Sequence, residues 1–178
     1  MIVPKVLYEN KVTELLDEIR FSYGKLTRKG YVYGLITIDQ DAKIIAIDTR
    51  FDRKLNYWDL SSIGAALHGV ARQGQDFFEA TALDLACILY DNMQIFVKSI
   101  GKVDLQDKGL REILIVLLAN KDVNIGIVML QMSKFAIKIK EEIARNNAMI
   151  KTLGMNENQL KEHLKSLRQE IFRVGTTT

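Results

Sequence analysis

The residue types that most often perform chemistry are few in this sequence and far apart. Its two histidines are His68 and His163, and its one cysteine is Cys87. A metal site needs three or four such ligands, usually at short spacings along the chain. No acid–base pair or activated nucleophile stands out either. We therefore expect no metal, no cofactor and no catalytic residues, in a protein that is not an enzyme.

Cys87 has apolar neighbours in a β-prone run and is predicted to be a small core residue.

Binding of a nucleotide by the chain itself finds no support in its motifs. The sequence contains no G-x-x-x-x-G-K-[ST] loop and no G-x-G-x-x-G after a predicted strand. The segment Gly24-Lys25-Leu26-Thr27 includes a Gly-Lys pair but lacks the first glycine at the required offset. We interpret it as the end of a helix.

One segment combines aromatic and basic residues in a way that suits a partner surface. Phe51, Tyr57 and Trp58 are interleaved with basic residues, and Trp, Tyr and Arg dominate interface energetics. Alternatively, Tyr57 and Trp58 hold the start of a helix in place. The arginines could act as fingers toward phosphate groups held by a partner, or they could be solvated surface residues. The candidate partner surface comprises Arg50, Arg53, Tyr57, Trp58, His68 and Arg72.

The composition is that of an ordinary soluble globular protein. A length of 178 residues suits one domain with a modest extension. The net charge of +3 arises from 25 basic and 22 acidic residues, too small an excess to indicate nucleic-acid binding. The lone cysteine excludes an internal disulfide and fits a reducing cytosol. No stretch approaches the roughly 18 consecutive apolar residues of a transmembrane helix. We therefore expect a cytoplasmic protein with no nucleic-acid partner and no transmembrane segment.

Hydrophobic periodicity predicts the order helix, strand, strand, helix, strand, strand, strand, helix. The fifth strand is continuously apolar over 113–118, as expected for a central strand covered on both faces. Asp59 or Ser61 is expected to cap the second helix, and a polar loop is expected over 101–109. The predicted elements span about 7–26, 31–38, 43–49, 59–78, 82–90, 93–100, 111–119 and 122–146.

The second helix carries unusually many small residues. Its glycines are Gly64, Gly69 and Gly74, and each costs about 1 kcal/mol relative to alanine in a helix interior. Close approach to another backbone, either a sheet or a second helix, would offset that cost.

This order of elements resembles the roadblock/dynein light chain family over about 7–146. The resemblance rests on Tyr33-Gly34-Leu35-Ile36-Thr37-Ile38-Asp39 before the first turn, Ile45-Ala46-Ile47 after it, and the small-residue helix over 60–74. It also rests on Leu118-Ala119-Asn120-Lys121-Asp122-Val123-Asn124-Ile125-Gly126-Ile127, in which a glycine early in the last helix is a recurrent family feature. Ala42 stands where the first turn of the family usually ends in glycine, which leaves the geometry of that turn open.

The resemblance implies an α+β fold of the roadblock type, αββαβββα, with a five-stranded, mainly antiparallel sheet between helices. It implies that two protomers join through their second helices and middle strands into one continuous sheet, as a homodimer or with another roadblock protein. It further implies that the dimer binds and helps to regulate a small Ras-like GTPase, as an activating cofactor or as a scaffold. The dimer interface would comprise Leu60, Ile63, Gly64, Leu67, Ala71 and Gly74.

A ligand-sensing module of PAS-like or longin-like build is the alternative, because such modules share a mixed sheet with flanking helices. A sensor needs an internal pocket with a few polar groups, whereas the predicted strands are densely aliphatic.

Residues 1–147 are expected to form the roadblock-like domain, and 148–178 a linker, a C-terminal amphipathic helix and a disordered tail. The terminal helix could pack back on its own dimer or dock a partner. Its apolar stripe is Leu160, Leu164, Leu167 and Ile171.

Overall fold

The computed structural model describes residues 10–52, 54–104, 109–146 and 149–150. These residues confirm the predicted α+β class and the order αββαβββα. Within the described residues, no helix is long and apolar enough to cross a membrane. The elements are α1 (Lys11–Leu26), β1 (Val32–Asp39), β2 (Ile44–Ile47), α2 (Tyr57–Phe77), β3 (Ala86–Leu89), β4 (Met93–Asp104), β5 (Leu110–Asn120) and α3 (Ile125–Arg145).

The five strands form one antiparallel sheet in the order β2-β1-β5-β4-β3. The continuously apolar β5 is its central strand, and every residue from Ile113 to Ala119 is buried, as predicted. Between Ser99 and Gly101 the register of β4 against β5 shifts. After this irregularity β4 continues to Asp104, which pairs with Leu110. The loop predicted over 101–109 is therefore wrong for residues 101–104, which belong to the sheet.

The helices bury the two faces of the sheet in two separate clusters. On one face α1 and α3 pack against each other and against β-strand residues such as Phe96 and Ile115. On the other face α2 packs against Ile36, Val97 and Val116. The sheet thus separates α2 from the α1–α3 pair.

The helices α1, α2 and α3 each begin after an asparagine. The side chains of Asn10, Asn56 and Asn124 accept hydrogen bonds from backbone N–H groups in the first turns of α1, α2 and α3. The predicted cap of α2 at Asp59 or Ser61 is wrong, because Asn56 accepts from Trp58 N at 3.0 Å and starts the helix earlier. Ser61 instead donates its hydroxyl to the carbonyl of Trp58, at 2.8 Å.

The predicted C-terminal helix and tail lie outside the described residues. Met149 and Ile150 are described, and both are buried in the cluster that contains α1 and α3. The core on that face therefore includes residues beyond the boundary predicted at 147.

Candidate interaction surface

The sheet-facing side of α2 explains part of its small-residue composition. Leu60, Gly64 and His68, spaced by four residues, are buried on this side. A β-carbon at Gly64 would lie 2.5 Å from Cγ2 of Val116 on β5. Gly64 therefore allows the helix to lie flat on the sheet of its own chain.

The predicted dimer residues are divided between two sides of α2. Leu60 and Gly64 face the sheet of their own chain and are not available to a second protomer in this arrangement. Ile63 is exposed. The others, Leu67, Ala71 and Gly74, are partly buried at the flanks of the helix.

The opposite side of α2 carries an exposed apolar stripe. Ile63, Ala66, Val70 and Phe77 follow helical spacing and define the outer stripe of α2. Val70 is 68% exposed and Phe77 is 84% exposed. Sequence periodicity missed this stripe because α2 is apolar on both sides. The signal that could have revealed the outer stripe is that α2 has more large apolar residues than one buried helix face can hold.

The edge of the sheet beside α2 is β3. Among the described strands β3 pairs with β4 alone, so its other edge has no strand beside it. Cys87 and Leu89 are exposed on this strand. The prediction that Cys87 is a core residue is wrong, because Cys87 is exposed on a strand at the edge of the described sheet.

A polar cluster forms under the middle of α2. Glu112 on β5 accepts a hydrogen bond from the Ser99 hydroxyl at 2.7 Å and pairs with Arg72 of α2. Nε2 of the buried His68 lies 3.5 Å from the same carboxylate without forming a hydrogen bond. Burial acts to raise the pKa of Glu112, but Ser99, His68 and Arg72 together hold that pKa below its usual value. His68, predicted as surface, therefore belongs to the interior, where it helps to fix α2 to the sheet.

The aromatic residues before and at the start of α2 form a small packed group. Tyr57 contacts Phe51 edge-on, with ring centroids 6.1 Å apart, and lies 5.5 Å from Trp58. Phe51 lies over Gly34 of β1, where any side chain would collide with the ring. Trp58 remains 42% exposed. The group thus holds the start of α2 and also leaves one aromatic surface open to a partner.

The remaining predicted surface arginines are not part of that group. Arg50 is exposed and lines a cleft beside α1 together with Arg20. Arg53 lies outside the described residues. The structure therefore does not bring Arg50 and Arg72 into one described cluster.

A buried ion pair escaped the sequence analysis because its partners are 28 residues apart. Arg20 on α1 donates to Asp48 from Nε at 2.8 Å and from Nη2, and it donates to the carbonyl of Val32 from Nη1. Oδ1 of Asp48 is buried without a hydrogen bond. Burial raises the pKa of Asp48 to about 6, although Arg20 acts to lower it.

Within the described residues, no group of three or more His, Cys, Asp or Glu side chains could hold a metal ion. His68 is buried under α2 and Cys87 is exposed on β3, so these two residues do not form a site together. His163 lies outside the described residues.

Comparison with known proteins places the chain by fold. No family model and no curated protein matches the sequence. The roadblock/LC7 domain from Streptomyces avermitilis is 12% identical over 72% of this chain and 94% of its own, with a TM-score of 0.57. Gliding protein MglB from Thermus thermophilus is 14% identical over 79% of this chain and 99% of its own, also with a TM-score of 0.57. MglB in a tetrameric arrangement is 16% identical over 80% and 96%, with a TM-score of 0.59. These likenesses show that the described chain has the roadblock/LC7 fold.

Proposed function

We propose that the chain is a dimeric, non-enzymatic scaffold of the cytoplasm that binds a small Ras-like GTPase and helps to regulate it. The observation that carries the proposal is the outer stripe of α2 beside the edge of β3 that no described strand pairs with. The roadblock/LC7 fold supports it, since the family resemblance of the sequence implies such dimers.

The outer stripe has the character of an interface between copies of the chain. Contiguous exposed apolar residues are uncommon on monomers and mark interaction sites. Val70 and Phe77 project from a helix whose other side already packs on the sheet. In a twofold dimer the same surface of each chain forms the interface. The outer stripe of one protomer would therefore be covered by the outer stripe of the other.

The edge of β3 supports the same arrangement. An exposed strand presents unpaired N–H and C=O groups to other chains, and such edges are usually covered. Pairing of β3 with the β3 of a second protomer would satisfy these groups and extend the sheet. MglB, which shares the fold, has been observed in a tetrameric arrangement, which supports assembly beyond the single chain.

The GTPase-binding part of the proposal rests on the family resemblance and on the residues left open around α2. Trp58 and Arg72 are partly exposed on α2, with Arg72 oriented by Glu112. Aromatic and arginine side chains of this kind supply much of the energy at interfaces.

Dimerisation is tested by sedimentation velocity on a matched pair of variants. Val70 on α2 and Ile137 on α3 are both β-branched and are 68% and 69% exposed. We expect the native chain of 20.3 kDa to sediment as a dimer. Val70→Glu should produce a folded monomer, because it would bury a charge at the interface, whereas Ile137→Glu should remain a dimer. A native protein that stays monomeric at micromolar concentration, or equal behaviour of the two variants, contradicts the proposed interface.

GTPase binding is tested by immobilising the native chain and offering small Ras-like GTPases of the same cell. Each GTPase is loaded either with GDP or with a non-hydrolysable GTP analogue. We expect binding that depends on the nucleotide and weakens in Trp58→Ala but not in Ile137→Glu. Absence of binding in every nucleotide state would remove the GTPase part of the proposal while leaving the dimer intact.

A further inference from the structure

A cleft lies beside the last turns of α1, on the face of the sheet opposite α2. Residues from α1, from the start of β1 and from the loop after β2 line it, and its volume is about 440 Å³. That volume is within the range of sites that hold small molecules. The outer stripe of α2 contributes nothing to it.

The charged side chains that line the cleft itself are basic, while Asp17 and Glu18 line the adjoining depression that shares Arg20, Phe21 and Arg50 with it. The lining residues of the cleft include Arg20, Lys25 and Arg50 but no acidic side chain. Arg20 is compensated by Asp48 behind it. Lys25 and Arg50 form no ion pair within the described residues. Lys25 and Arg50 are therefore cations without a direct ion pair at this cleft, with Arg50 between the cleft and the depression that Asp17 and Glu18 line.

Arg20 is held in place by Asp48 and the carbonyl of Val32, and it has further N–H groups that these two partners do not use. A guanidinium has five N–H groups, and Arg20 uses three of them toward Asp48 and the Val32 carbonyl. The two remaining N–H groups, one on each terminal nitrogen, have no partner within the described residues. A fixed, planar pair of donors matches the two oxygens of a carboxylate or a phosphate.

Exposed aromatic rings flank these cations. Phe21 and Tyr31 both line the cleft and are more than half exposed. Tyr31 is fixed by a backbone hydrogen bond to Oδ1 of Asn120 at 2.7 Å and by edge-on contact with the ring of Tyr33. Rings placed in this way offer contact area to a flat apolar group.

The carbonyl end of α1 also approaches the cleft, and its partial negative charge disfavours an anion. Two features reduce this effect. The N–H of Thr27 donates a hydrogen bond to the carbonyl of Tyr23, and Lys25 supplies a positive charge in the last turn. Lys25 lies 4.3 Å above the ring of Phe21, which keeps its charge beside the cleft.

We propose that this cleft binds a small organic anion, whose phosphate or carboxylate group contacts Arg20 and Arg50 while a flat ring lies against Phe21 and Tyr31. The site is separate from the proposed dimer and GTPase surfaces, so each can fail without the other.

The test is a titration of the ¹⁵N-labelled full chain with phenyl phosphate, benzoate and inorganic phosphate. We expect phenyl phosphate or benzoate to shift the amide signals of Phe21, Gly24 and Tyr31. The probe that binds with the higher affinity identifies the preferred anionic group. Inorganic phosphate should bind more weakly because it lacks the ring. Arg50→Ala should weaken binding roughly tenfold, the loss expected for one charged hydrogen bond.

Arg28→Ala is the matched control, because it removes the same charge from the adjacent turn without changing the lining of the cleft. It should leave the affinity unchanged, as should Val70→Glu, while Phe21→Ala should weaken phenyl phosphate to the level of inorganic phosphate. No shift with any probe at millimolar concentration overturns the proposal. Equal weakening by Arg28→Ala and Arg50→Ala also overturns it, since binding would then reflect overall charge.

Discussion

Gly64 of α2 and Val116 of β5 lie so close that a β-carbon at residue 64 would be 2.5 Å from Cγ2 of Val116. By contrast, no such contact exists for Gly69, and for Gly74 the nearest atom, in Phe78, is 4.0 Å away. The glycines of α2 therefore have different roles. Gly64 serves the packing of helix on sheet within one chain, whereas Gly69 and Gly74 have no close neighbours there.

Gly64→Ala is expected to lower the free energy of unfolding. Alanine gains about 1 kcal/mol in helix propensity, but overpacking against Val116 typically costs about 1–3 kcal/mol. In a Val116→Ala background the same substitution should become neutral or stabilising, because the colliding methyl groups are gone. Urea unfolding of the four proteins of this double-mutant cycle measures the coupling. Gly64→Ala with the same effect in both backgrounds would mean that Val116 is not the obstacle.

The buried Asp48 should make stability depend on pH in an uncommon direction. Its folded pKa of about 6 lies above the ordinary value of 3.8, so the folded state holds the proton more tightly than the unfolded state. The contribution is fully present below the unfolded pKa of 3.8 and is lost as the pH rises from there through 6, a total decrease of roughly 3 kcal/mol.

Asp48→Asn removes this titration while keeping a similar shape beside Arg20. We expect the native protein to lose stability relative to Asp48→Asn between pH 4 and pH 7, as measured by urea unfolding at each pH. Asp39, with its raised pKa, and Glu112, with its lowered pKa, are present in both proteins and cancel in the difference. A difference that stays constant across this range would show that Arg20 fully compensates the buried charge.

The fold could be predicted because its main signals are local. The switch from period 3.6 to period 2 separates helices from strands, and the unbroken apolar run of β5 identifies the central strand. The cap of α2 was missed because several capping residues lie near its start, and the backbone conformation decides among them. Asn56 is extended, with ψ of 109°, and accepts from Trp58 N.

The candidate interaction surface could be predicted only in part, because it depends on contacts between distant segments. Leu60 and Val70 are both apolar residues of one helix, and the sequence alone does not say which of them meets the sheet. Cys87 has the sequence context of a core residue, and only the sheet order places β3 at an edge. Arg20 and Asp48 come from different parts of the chain, and no periodicity connects them.

Ala42 provides a prediction about the first turn, where the resemblance to the roadblock family leads us to expect glycine. Ala42 has φ of 65°, and its N–H donates to the carbonyl of Asp39 at 3.0 Å. The left-handed conformation costs an L-residue about 1–2 kcal/mol, while glycine makes the unfolded chain more flexible by about 0.4–1 kcal/mol. Ala42→Gly should therefore raise the free energy of unfolding slightly.

Ala144→Gly is the control for Ala42→Gly, because residue 144 is an exposed helical alanine near the end of α3. This control should be destabilised by up to about 1 kcal/mol. Thermal or urea unfolding compares the signs. Destabilisation of both variants to the same extent would show that the turn does not strain Ala42.

Cys87 offers a direct test of pairing between β3 edges. The strand has four residues, and Cys87 is next to its centre. If two β3 strands pair antiparallel about a twofold axis, they lie about 4.8 Å apart, so the two cysteines come within reach of a short bismaleimide. Because the chain has one cysteine, a covalent dimer can only join Cys87 to Cys87. We expect efficient cross-linking of the native protein at low concentration and little in Val70→Glu.

A Cys87→Ser, Ile137→Cys variant places the thiol on the outer side of α3 and should not cross-link. Cross-linking of that variant instead of the native chain would move the dimer interface from α2 and β3 to the opposite face of the molecule.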